Sequence, residues 1–485
     1  MSDRPNILVI MSDQHNKRIM GCGGDTIVKT PHLDTLAGNG VIFDNCYCPS
    51  PVCVPSRMSF MTSRHPHEND VWTNACHLSS DIPTFAHSLG ASGYETVLCG
   101  RMHFCGPDQR HGFHKRIAGD VTGTYIGSPL PALTPYLLQG AGASRKAVEI
   151  AGPGRTGYQL YDETIAETAS DYLSRYDSAN PFCMVVGFVL PHCPFVCPDE
   201  DFEYYHDRVI LPEYPDRYFE NLNPAVKEWR RYFGIEDLTD EEIRNARAAY
   251  YGLVSHMDRQ IGKVIGALYD SGLADDTIVI YTSDHGEMAG EHGMWWKMNH
   301  YDGSASVPLI VSWPEHFPSN CRRDEVVNLI DIGPTLIDIA GSEKLNDVSG
   351  ASILTLIHGD CEGWKNTSYT EHCPMLGFPP NRMIRRDQWK LIFYDRYQPQ
   401  LFNLDDDPGE VNDLSQSLEH QCIIDKLMTS LMDGWSPAMA KERVEKRFRN
   451  HSVFVHWFNE LRPDMPDLWS PPPGTNRFAG DPDSA

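Results

Sequence analysis

The chain has 485 residues, of which 41% are hydrophobic and 22% charged, a composition typical of globular proteins and too apolar for a disordered chain. Its 41 Lys and Arg residues are outnumbered by 66 Asp and Glu residues, which gives a formal net charge of -25 at pH 7. Because such a surface repels polyphosphate, the composition argues against nucleic acid or an anionic membrane as a partner. A small anionic substrate is compatible with it where a local basic site outweighs the overall negative field.

The first apolar run of the chain, Ile7–Met11, is too short for the core of a signal peptide or for a membrane span. Later runs do not reach the length of a membrane helix either. The 14 cysteines lack the spacing of a zinc finger, so without an export signal we expect them to stay reduced. These features predict a cytoplasmic protein without a membrane partner.

Short apolar runs, separated by helix-like segments, recur along the first three quarters of the chain. They are Ile7–Met11, Thr96–Cys99, Cys183–Leu190, Thr277–Tyr281 and Val307–Val311. Runs of this length are typical of strands that are buried on both faces. Thr239 and Glu242 form a capping box that predicts a long helix, and Pro334 predicts the first turn of another. The alternation predicts an α/β sandwich around a large, mostly parallel sheet.

The pattern changes after about Gly359, where strand-like segments are separated by polar turns. These segments are Met383–Arg386, Trp389–Tyr394 and Gln400–Leu404, and they predict a small antiparallel sheet. A helix from about Leu418 to Trp435 and a Pro-rich end follow. We therefore predict a main α/β domain over residues 1–360 and a smaller C-terminal antiparallel α+β subdomain with a tail over residues 361–485.

Four of the apolar runs end in polar residues that can do chemistry. The endings are Ser12-Asp13-Gln14-His15, Gly100-Arg101-Met102-His103, Pro191-His192 and Ser283-Asp284-His285-Gly286. In open α/β sheets, functional groups collect just beyond the carboxyl ends of the strands. A single Asp after a strand is more often a turn former or a helix cap. Four such endings together indicate a functional site.

Asp13, Gln14, Asp284 and His285 combine carboxylate, amide oxygen and imidazole ligands. Two neighbouring carboxylates repel each other unless a cation lies between them, and a divalent metal ion is the simplest such cation. Oxygen donors favour Ca²⁺ or Mg²⁺, whereas imidazole favours Mn²⁺ or another softer ion. The alternative interpretation is that the two aspartates are independent turn residues.

The segment Cys53-Val54-Pro55-Ser56-Arg57 predicts an anion site at the start of a helix. Pro55 suits the first turn of a helix, which places Cys53 at or just before the helix N-terminus. Unpaired backbone N–H groups at this end attract anions and lower the pKa of a thiol. Arg57, one turn further, adds a permanent cation.

The same segment is the Cys-x-Pro-Ser-Arg signature of the sulfatases, and the chain resembles the type I, formylglycine-dependent members of this family. The resemblance implies a fold of the alkaline-phosphatase-like superfamily. It runs from Arg4 to about Leu414 through Pro5–Leu8, Thr30–Asp34, Gly100–His103, Pro191–Pro194, Ser283–Gly286, Leu401–Leu404 and Asp407–Glu410. Within the family, the stretches over residues 293–309 and 106–113 are most similar to choline sulfatases.

The resemblance implies that a formylglycine-generating or equivalent maturation enzyme converts Cys53 to formylglycine, whose hydrated form is the nucleophile. It places one divalent ion on Asp13, Gln14, Asp284 and His285, with Ca²⁺ as the first choice and Mn²⁺ as the alternative. Gln14 and His285 stand where many sulfatases have Asp and Asn, and in this they resemble choline sulfatases and phosphonate monoester hydrolases.

The resemblance also gives roles to the basic residues around the nucleophile. Arg57 would hold the formylglycine and the metal-side oxygens, while His103, His192 and Lys297 would bind the sulfate group and handle protons. Arg101 stands in place of the usual Lys of Gly-Lys-x-His, so the charge is kept but a planar fork replaces a point charge.

The predicted function is hydrolysis of a small sulfate ester, choline-sulfate-like or another alkyl or aryl sulfate. Trp72, Asn74, Trp295 and Trp296 are candidate substrate-binding residues, because aromatic rings hold a quaternary ammonium by cation–π contact. Tryptophans that only fill the core are the alternative. Ser306 stands where a choline sulfatase is expected to have Arg.

Proteins with such a scaffold could have three other functions, of which the sequence disfavours two. Hydrolysis of phosphonate monoesters or phosphodiesters would use the same nucleophile and is the main alternative. An unmodified phosphatase would have Ser or Thr in place of Cys53, and a non-catalytic binding protein would be expected to have lost the Cys or a metal-binding acid. A homo-oligomer is compatible with all of these functions.

Overall fold

The structure, a computed structural model, describes residues 4–122, 125–127, 140–374, 377–472 and 474–478. Its strands are β1 (Asn6–Asp13), β2 (Val41–Tyr47), β3 (Glu95–Gly100), β4 (Lys115–Ala118), β5 (Gly152–Pro153), β6 (Phe182–Pro191), β7 (Val196–Cys197), β8 (Thr277–Ser283), β9 (Leu309–Ser312), β10 (Cys321–Asn328), β11 (Thr367–His372), β12 (Asn381–Arg386), β13 (Trp389–Tyr394) and β14 (Tyr397–Asn403).

The helices lie mainly between these strands. They are α1 (Pro31–Gly38), α2 (Cys53–Thr62), α3 (Pro66–Asn69), α4 (Phe85–Ala91), α5 (Arg145–Glu149), α6 (Gly157–Ser174), α7 (Asp199–His206), α8 (Tyr218–Asn221), α9 (Pro224–Phe233), α10 (Asp240–Asp270), α11 (Asp302–Ala305), α12 (Ile332–Ala340), α13 (Leu354–Ile357), α14 (Gln421–Leu431), α15 (Pro437–Phe448) and α16 (His451–Leu461). Across the described ranges, none of them is long and apolar enough to cross a membrane.

The main domain is built on an eight-stranded sheet with the order β10-β2-β9-β8-β1-β6-β3-β4. All neighbouring pairs are parallel except those that β9 makes with β2 and β8. Every residue of β1 after Asn6 is buried, as is every residue of β6 and β8. Each large aliphatic side chain buried in this way contributes about 1.5–3 kcal/mol relative to an exposed one. The predicted α/β class and mostly parallel sheet are confirmed.

The predicted helices of this domain are present. The capping box of Thr239 and Glu242 opens α10, in which the Thr239 hydroxyl accepts from the Glu242 N–H at 3.2 Å. This 31-residue helix covers one face of the sheet with buried residues such as Tyr250, Val254 and Ile261. Pro334 lies in the first turn of α12, which packs on the other face.

The C-terminal region contains the predicted antiparallel sheet, in the order β11-β12-β13-β14. Its apolar face, which includes Ile384, Leu391 and Leu401, packs on Leu427 and Leu431 of α14. The small sheet begins within the predicted second segment, while the boundary at residue 360 stays a prediction.

The predicted helix from Leu418 to Trp435 is shorter in the structure. A 3-10 turn over Leu418–His420 precedes α14, and the helix ends at Leu431. Gly434 has a φ of 67°, a left-handed conformation that favours glycine and cannot continue a helix. The Asp433-Gly434 pair is therefore the stop signal that apolar periodicity alone does not reveal.

The order of the central strands brings the four polar endings together. The sheet places β8, β1, β6 and β3 side by side, with Ser12 opposite Ser283 and Gly100 opposite Gly187. Because these strands are parallel, their carboxyl ends meet at one edge of the sheet. All four predicted endings consequently lie next to one another.

Candidate active site

Cys53 is the first residue of α2, and all ten residues of this helix are buried. Pro55 lies in its first turn, as predicted, since a proline there costs no helical hydrogen bond. The Cys53 Sγ atom is 3.0 Å from Lys297 Nζ and 3.3 Å from His285 Nε2. The thiol therefore lies among cationic groups at a helix N-terminus, as the anion-site prediction requires.

The surroundings of Cys53 favour its anionic form. Burial opposes ionisation of the thiol, but the charges of Lys297 and His285 and hydrogen bonds from His103 and His192 hold the pKa of Cys53 well below its usual value. Buried cysteines elsewhere behave in the opposite way: burial alone raises the pKa of Cys183 to about 12. Cys53 is thus distinguished from an inert core thiol by its neighbours.

A buried ligand set lies beside the thiol. Ligand atoms of Asp13, Cys53, Asp284 and His285 all lie within 4.8 Å of one another. His285 Nδ1 is 3.0 Å from the carbonyl oxygen of Gly286, to which it donates, so that Nε2 faces the acids and would ligate a cation once it has lost its proton. This arrangement suits a cation held by two carboxylates and an imidazole.

Gln14 supplies the observation that tests whether a metal fits. Its side-chain amide N–H donates to Glu287 Oε2, which turns Oε1 inward, and within the described residues this buried oxygen has no hydrogen-bond partner. A buried amide oxygen without a partner is costly unless it ligates an ion. The four predicted metal residues therefore fit one divalent ion.

Glu287 supports this ligand set but does not feature in the predicted site. Its Oε1 accepts the backbone N–H groups of Ala289 and Trp296, while Oε2 holds Gln14. Burial raises the pKa of Glu287 to about 7. Its position two residues after His285, directly beyond the strand ending Ser283–Gly286, is the signal that could have identified it.

Arg57 lies between the two acids, with no exposed surface. Its Nε donates to Asp284 Oδ2 at 2.8 Å and its Nη2 to Asp13 Oδ2 at 3.2 Å. A permanent cation therefore offsets part of the repulsion between the carboxylates. The charge balance of the site comes from this arginine as well as from any metal.

Arg101 and His103 form a second hydrogen-bonded unit at the end of β3. Arg101 Nε donates to Asp13 Oδ2 at 2.6 Å, and Nη1 donates to Asp120 Oδ1 at 3.1 Å. Asp120 Oδ2 also accepts the backbone N–H of His103 at 2.8 Å. Asp120 lies outside the strand endings, so neither periodicity nor motif spacing identifies it.

His192 follows β6 and faces Cys53 from the other side. Two backbone N–H groups just before it, those of Val189 and Leu190, donate to the Asp162 carboxylate at 2.8 and 3.0 Å. Burial and the charge of Lys297 lower the pKa of His192. His192 is only half-buried, as is Asn74, so solvent reaches the site on their side.

The four candidate substrate-binding residues are arranged differently from one another. Asn74 Oδ1 accepts the backbone N–H of Val54 at 2.9 Å and so lies directly beside the nucleophile helix. The rings of Trp295 and Trp296 pack in the core, 5.4 Å from Phe195 and 5.3 Å from Phe233 respectively. The Trp72 indole is buried as well and donates to Asp70, which lies in the same loop. Core packing accounts for the burial of these rings, and their role in substrate binding stays a prediction.

Ser306 occupies the position at which a choline sulfatase is expected to have Arg. It is fully buried, and its hydroxyl donates to the carbonyl oxygen of Cys46 at 2.9 Å. The residue is thus part of the packing between α11 and β2.

Comparison with known protein families identifies the family to which this chain belongs. The sulfatase family matches residues 5–342, well over half of the chain. The chain belongs to the sulfatase family. The C-terminal region of N-sulphoglucosamine sulphohydrolase matches residues 290–436, so the likeness of this sulfatase extends through the small sheet.

Individual relatives agree with this assignment. The sulfatase is 33% identical over 434 residues to a choline-sulfatase of Rhizobium meliloti (strain 1021), across 85% of this chain and 83% of the relative. It is 29% identical over 494 residues to arylsulfatase K of Danio rerio, across 95% of this chain and 88% of the relative. The chain is therefore a sulfuric ester hydrolase, as the signature at Cys53 predicts.

A solved structure with low sequence identity shares the fold. The phosphonate monoester hydrolase of Agrobacterium radiobacter matches with a TM-score of 0.75 and 22% identity, over 91% of this chain and 96% of that chain. The predicted alkaline-phosphatase-like fold is confirmed.

Proposed function

We propose that this sulfatase hydrolyses a small sulfate ester to an alcohol and sulfate, with a formylglycine formed from Cys53 as nucleophile and one divalent metal ion. The observation that carries the proposal is the position of the Cys53 sulfur, 3.0 Å from Lys297 Nζ at the start of a buried helix. An oxygen nucleophile at this point would meet the anionic ester among groups that offset its charge.

Asp13, Gln14, Asp284 and His285 would hold the metal ion, which is Ca²⁺ in this proposal with Mn²⁺ as the alternative. When bound, the ion supplies Lewis-acid stabilisation of sulfate oxygens. The oxygen-rich ligand set supports Ca²⁺, and the imidazole of His285 supports Mn²⁺. The unpartnered Oε1 of Gln14 supports an oxygen-seeking ion at this point.

The chain's own residues bind and orient the ester. Lys297 and Arg57 offset the charge of the sulfate group. In the unmodified chain the charges of Cys53, Asp13 and Asp284 outweigh the burial of Lys297 and raise its pKa, and the two carboxylates remain beside it after modification. His103 and His192 contact the nucleophile from two sides. A hydrated formylglycine supplies two hydroxyl groups, one to attack sulfur and a second whose proton is lost when sulfate departs.

The substrate in this proposal is a small alkyl sulfate with a cationic head group, such as choline sulfate. The support is the choline-sulfatase relative and an acidic chain that attracts a cation. The maturation enzyme is the one protein partner proposed. All 14 cysteines are unpaired, which supports a reducing compartment, and we place the protein in the cytoplasm.

Phosphonate monoester or phosphodiester hydrolysis remains the second candidate. The observation in its favour is the pair Gln14 and His285, which replaces the Asp and Asn of many sulfatases. Both residues belong to the proposed set of metal ligands, so they influence which type of ester the bound metal accepts.

Two measurements test the proposal. Mass spectrometry of the peptide that contains Cys53 reports whether the thiol has become an aldehyde. A panel of choline sulfate, an aryl sulfate, a sugar sulfate and a phosphonate monoester is then compared by kcat/KM. Choline sulfate should lead by at least tenfold, about 1.4 kcal/mol of transition-state preference. A higher kcat/KM for the aryl or the sugar sulfate would contradict the choline assignment. A higher kcat/KM for the phosphonate monoester would favour the second candidate.

A further inference from the structure

Two histidines face Cys53, and their Nδ1 atoms have opposite partners. His103 Nδ1 is 3.0 Å from Arg101 Nη2, which is a hydrogen-bond donor. His192 Nδ1 is 2.7 Å from the carbonyl oxygen of Cys193, which is an acceptor. Because a neutral imidazole has one protonated and one unprotonated nitrogen, these contacts determine what each Nε2 presents to the nucleophile.

For His103 the partner leaves one neutral tautomer. An arginine guanidinium has five N–H donors and no acceptor, so His103 Nδ1 must accept from Arg101. The proton of the neutral ring is then on Nε2, the nitrogen that remains to contact Cys53. His103 thus presents a donor to the nucleophile and has no lone pair available there.

Arg101 cannot easily turn away from His103, because its other nitrogens are occupied. Nε is held by Asp13 at 2.6 Å, and Nη1 by Asp120 at 3.1 Å and by the Thr122 hydroxyl at 2.7 Å. Arg101 is itself only 2% exposed. A lysine has a single nitrogen and could not hold these partners in one plane.

The backbone of His103 is fixed as well. Its φ of 57° lies in the left-handed region, which is strained for a residue with a side chain. The Asp120 carboxylate compensates by accepting the N–H groups of Met102 and His103, at 3.2 and 2.8 Å. Asp120 therefore positions both Arg101 and the ring that Arg101 contacts.

His192 has the complementary arrangement. A carbonyl oxygen only accepts, so His192 Nδ1 must carry a proton that it donates to Cys193. In the neutral ring the lone pair is then on Nε2, the nitrogen that remains for the hydrogen bond between His192 and Cys53. His192 can take up a proton from the nucleophile and release it again.

We propose that Arg101 locks His103 in its Nε2–H tautomer, so that His103 acts only as a hydrogen-bond donor, and that His192 is the imidazole that transfers protons. The proposal rests on the proposed function in one respect, namely that an oxygen nucleophile replaces the Cys53 sulfur. The lock of the tautomer by Arg101 does not depend on that replacement.

The proton transfers balance with one imidazole. His192 Nε2 takes the proton of the attacking hydroxyl as the new O–S bond forms, and gives it to the alcohol oxygen as the old S–O bond breaks. It then takes the proton of the second hydroxyl as the C–O bond to sulfate breaks and the carbonyl reforms, and releases it to solvent. Addition of one water molecule to the carbonyl restores the two hydroxyl groups. Throughout, His103 Nε2–H donates to the oxygen of the nucleophile without losing its proton.

The first test determines the tautomer of His103 directly. Long-range ¹H–¹⁵N spectra of histidine-labelled protein are recorded at neutral pH, with the His103 signals assigned by their loss in His103→Gln. The expected result is an unprotonated Nδ1 and a protonated Nε2, with the Nδ1–H form gaining population in Arg101→Met. A protonated Nδ1 in the unsubstituted protein would overturn the proposal, whether or not the protein hydrolyses sulfate esters.

The second test separates donation from proton transfer. A glutamine places an amide N–H near the position of Nε2–H but cannot exchange protons as an imidazole does. His103→Gln should therefore keep at least tenfold more kcat/KM than His103→Ala. His192→Gln should lose as much as His192→Ala, on the order of 10²–10⁴-fold. Rescue by glutamine at His192 but not at His103 would reverse the assignment and overturn it, and melting temperatures control for folding.

Discussion

Lys390 and Asp302 form a buried ion pair of 2.8 Å that joins the small C-terminal sheet to the main domain. Glu410 completes it, since its Oε1 is 2.7 Å from Lys390 Nζ and its Oε2 accepts the backbone N–H of Asp302 at 2.6 Å. Asp302 begins α11, five residues after Lys297. The Asp-Pro-Gly-Glu turn at Asp407–Glu410 thereby supports the loop that carries a cation of the active site.

Removal of the Lys390 ammonium should destabilise the protein strongly. In Lys390→Met, Asp302 and Glu410 stay buried without their closest cation, and breaking such a pair costs about 3–5 kcal/mol. The free energy of unfolding is measured by chemical denaturation. The control is Lys441→Met, because Lys441 pairs with Glu445 at 3.9 Å with both side chains about two-thirds exposed. That variant should change by less than about 0.5 kcal/mol. Equal losses in the two variants would contradict a role for Lys390 in joining the domains.

Cys53→Ala should abolish turnover and leave the melting temperature nearly unchanged. The thiol is the group that becomes the nucleophile in the proposed function, whereas α2 keeps its packing without it. The matched control is Cys183→Ala, which removes an equally buried thiol in β6. It should lose some stability and keep its kcat. Substantial turnover by Cys53→Ala would show that another residue is the nucleophile.

Asp284→Ala should lose both the bound metal and activity. The variant removes a ligand whose oxygens lie next to Asp13 and His285 in the buried set. Metal content is measured by elemental analysis after extensive dialysis. Asp275→Ala, in the exposed turn before β8, is the control and should keep full metal content. A full complement of metal in Asp284→Ala would place the ion elsewhere.

Glu371 should make stability depend on acid pH. Burial opposes ionisation of its carboxyl group, but His67, whose Nδ1 is 2.8 Å away, lowers the pKa of Glu371 to about 2. A carboxyl pKa below the ordinary 4.5 means that the unfolded chain binds the proton more tightly. The stabilisation is therefore nearly complete above about pH 5 and is lost as the pH falls through 4.5 towards 2, with a total of about 3 kcal/mol.

The unsubstituted protein is compared with Glu371→Gln by urea denaturation at a series of pH values from about 6 down to about 3. The difference in unfolding free energy should be constant above about pH 5 and shrink below it. A difference that stays constant over the whole range would mean that Glu371 titrates at its ordinary pKa.

The core of the site could be predicted because it follows from strand order. Asp13, Asp284 and His192 each lie two or three residues beyond the end of an apolar run, and parallel strands bring such endings to one edge. The local sequence is also sufficient to place Cys53 at the start of a helix, since Pro55 and Arg57 mark the first turn beside it. These predictions needed only local patterns and one rule about sheets.

Other features of the fold and the site depend on contacts between residues that are far apart in the sequence, and local patterns do not reveal such contacts. β11 is a strand with polar residues on its buried side: Thr370 donates to the carbonyl oxygen of Cys48, and the Glu371 N–H donates to that of Pro49. Asp120 acquires its role because Arg101, nineteen residues earlier in the chain, bends back onto it. The tryptophans are ambiguous for the same reason, because a ring in a pocket and a ring in the core have the same sequence context.

The burial of α2 restricts when the proposed modification of Cys53 could take place. The residue is 1% exposed and lies at the start of a helix in which every residue is buried. Another protein cannot bring its catalytic groups to this buried sulfur once the sheet and α2 have packed. In the proposed function, an enzyme that oxidises Cys53 would therefore have to meet the chain during or soon after synthesis, before it folds. Each molecule would then become active only at the time of its synthesis. A folded molecule with an unmodified Cys53 could not be activated later.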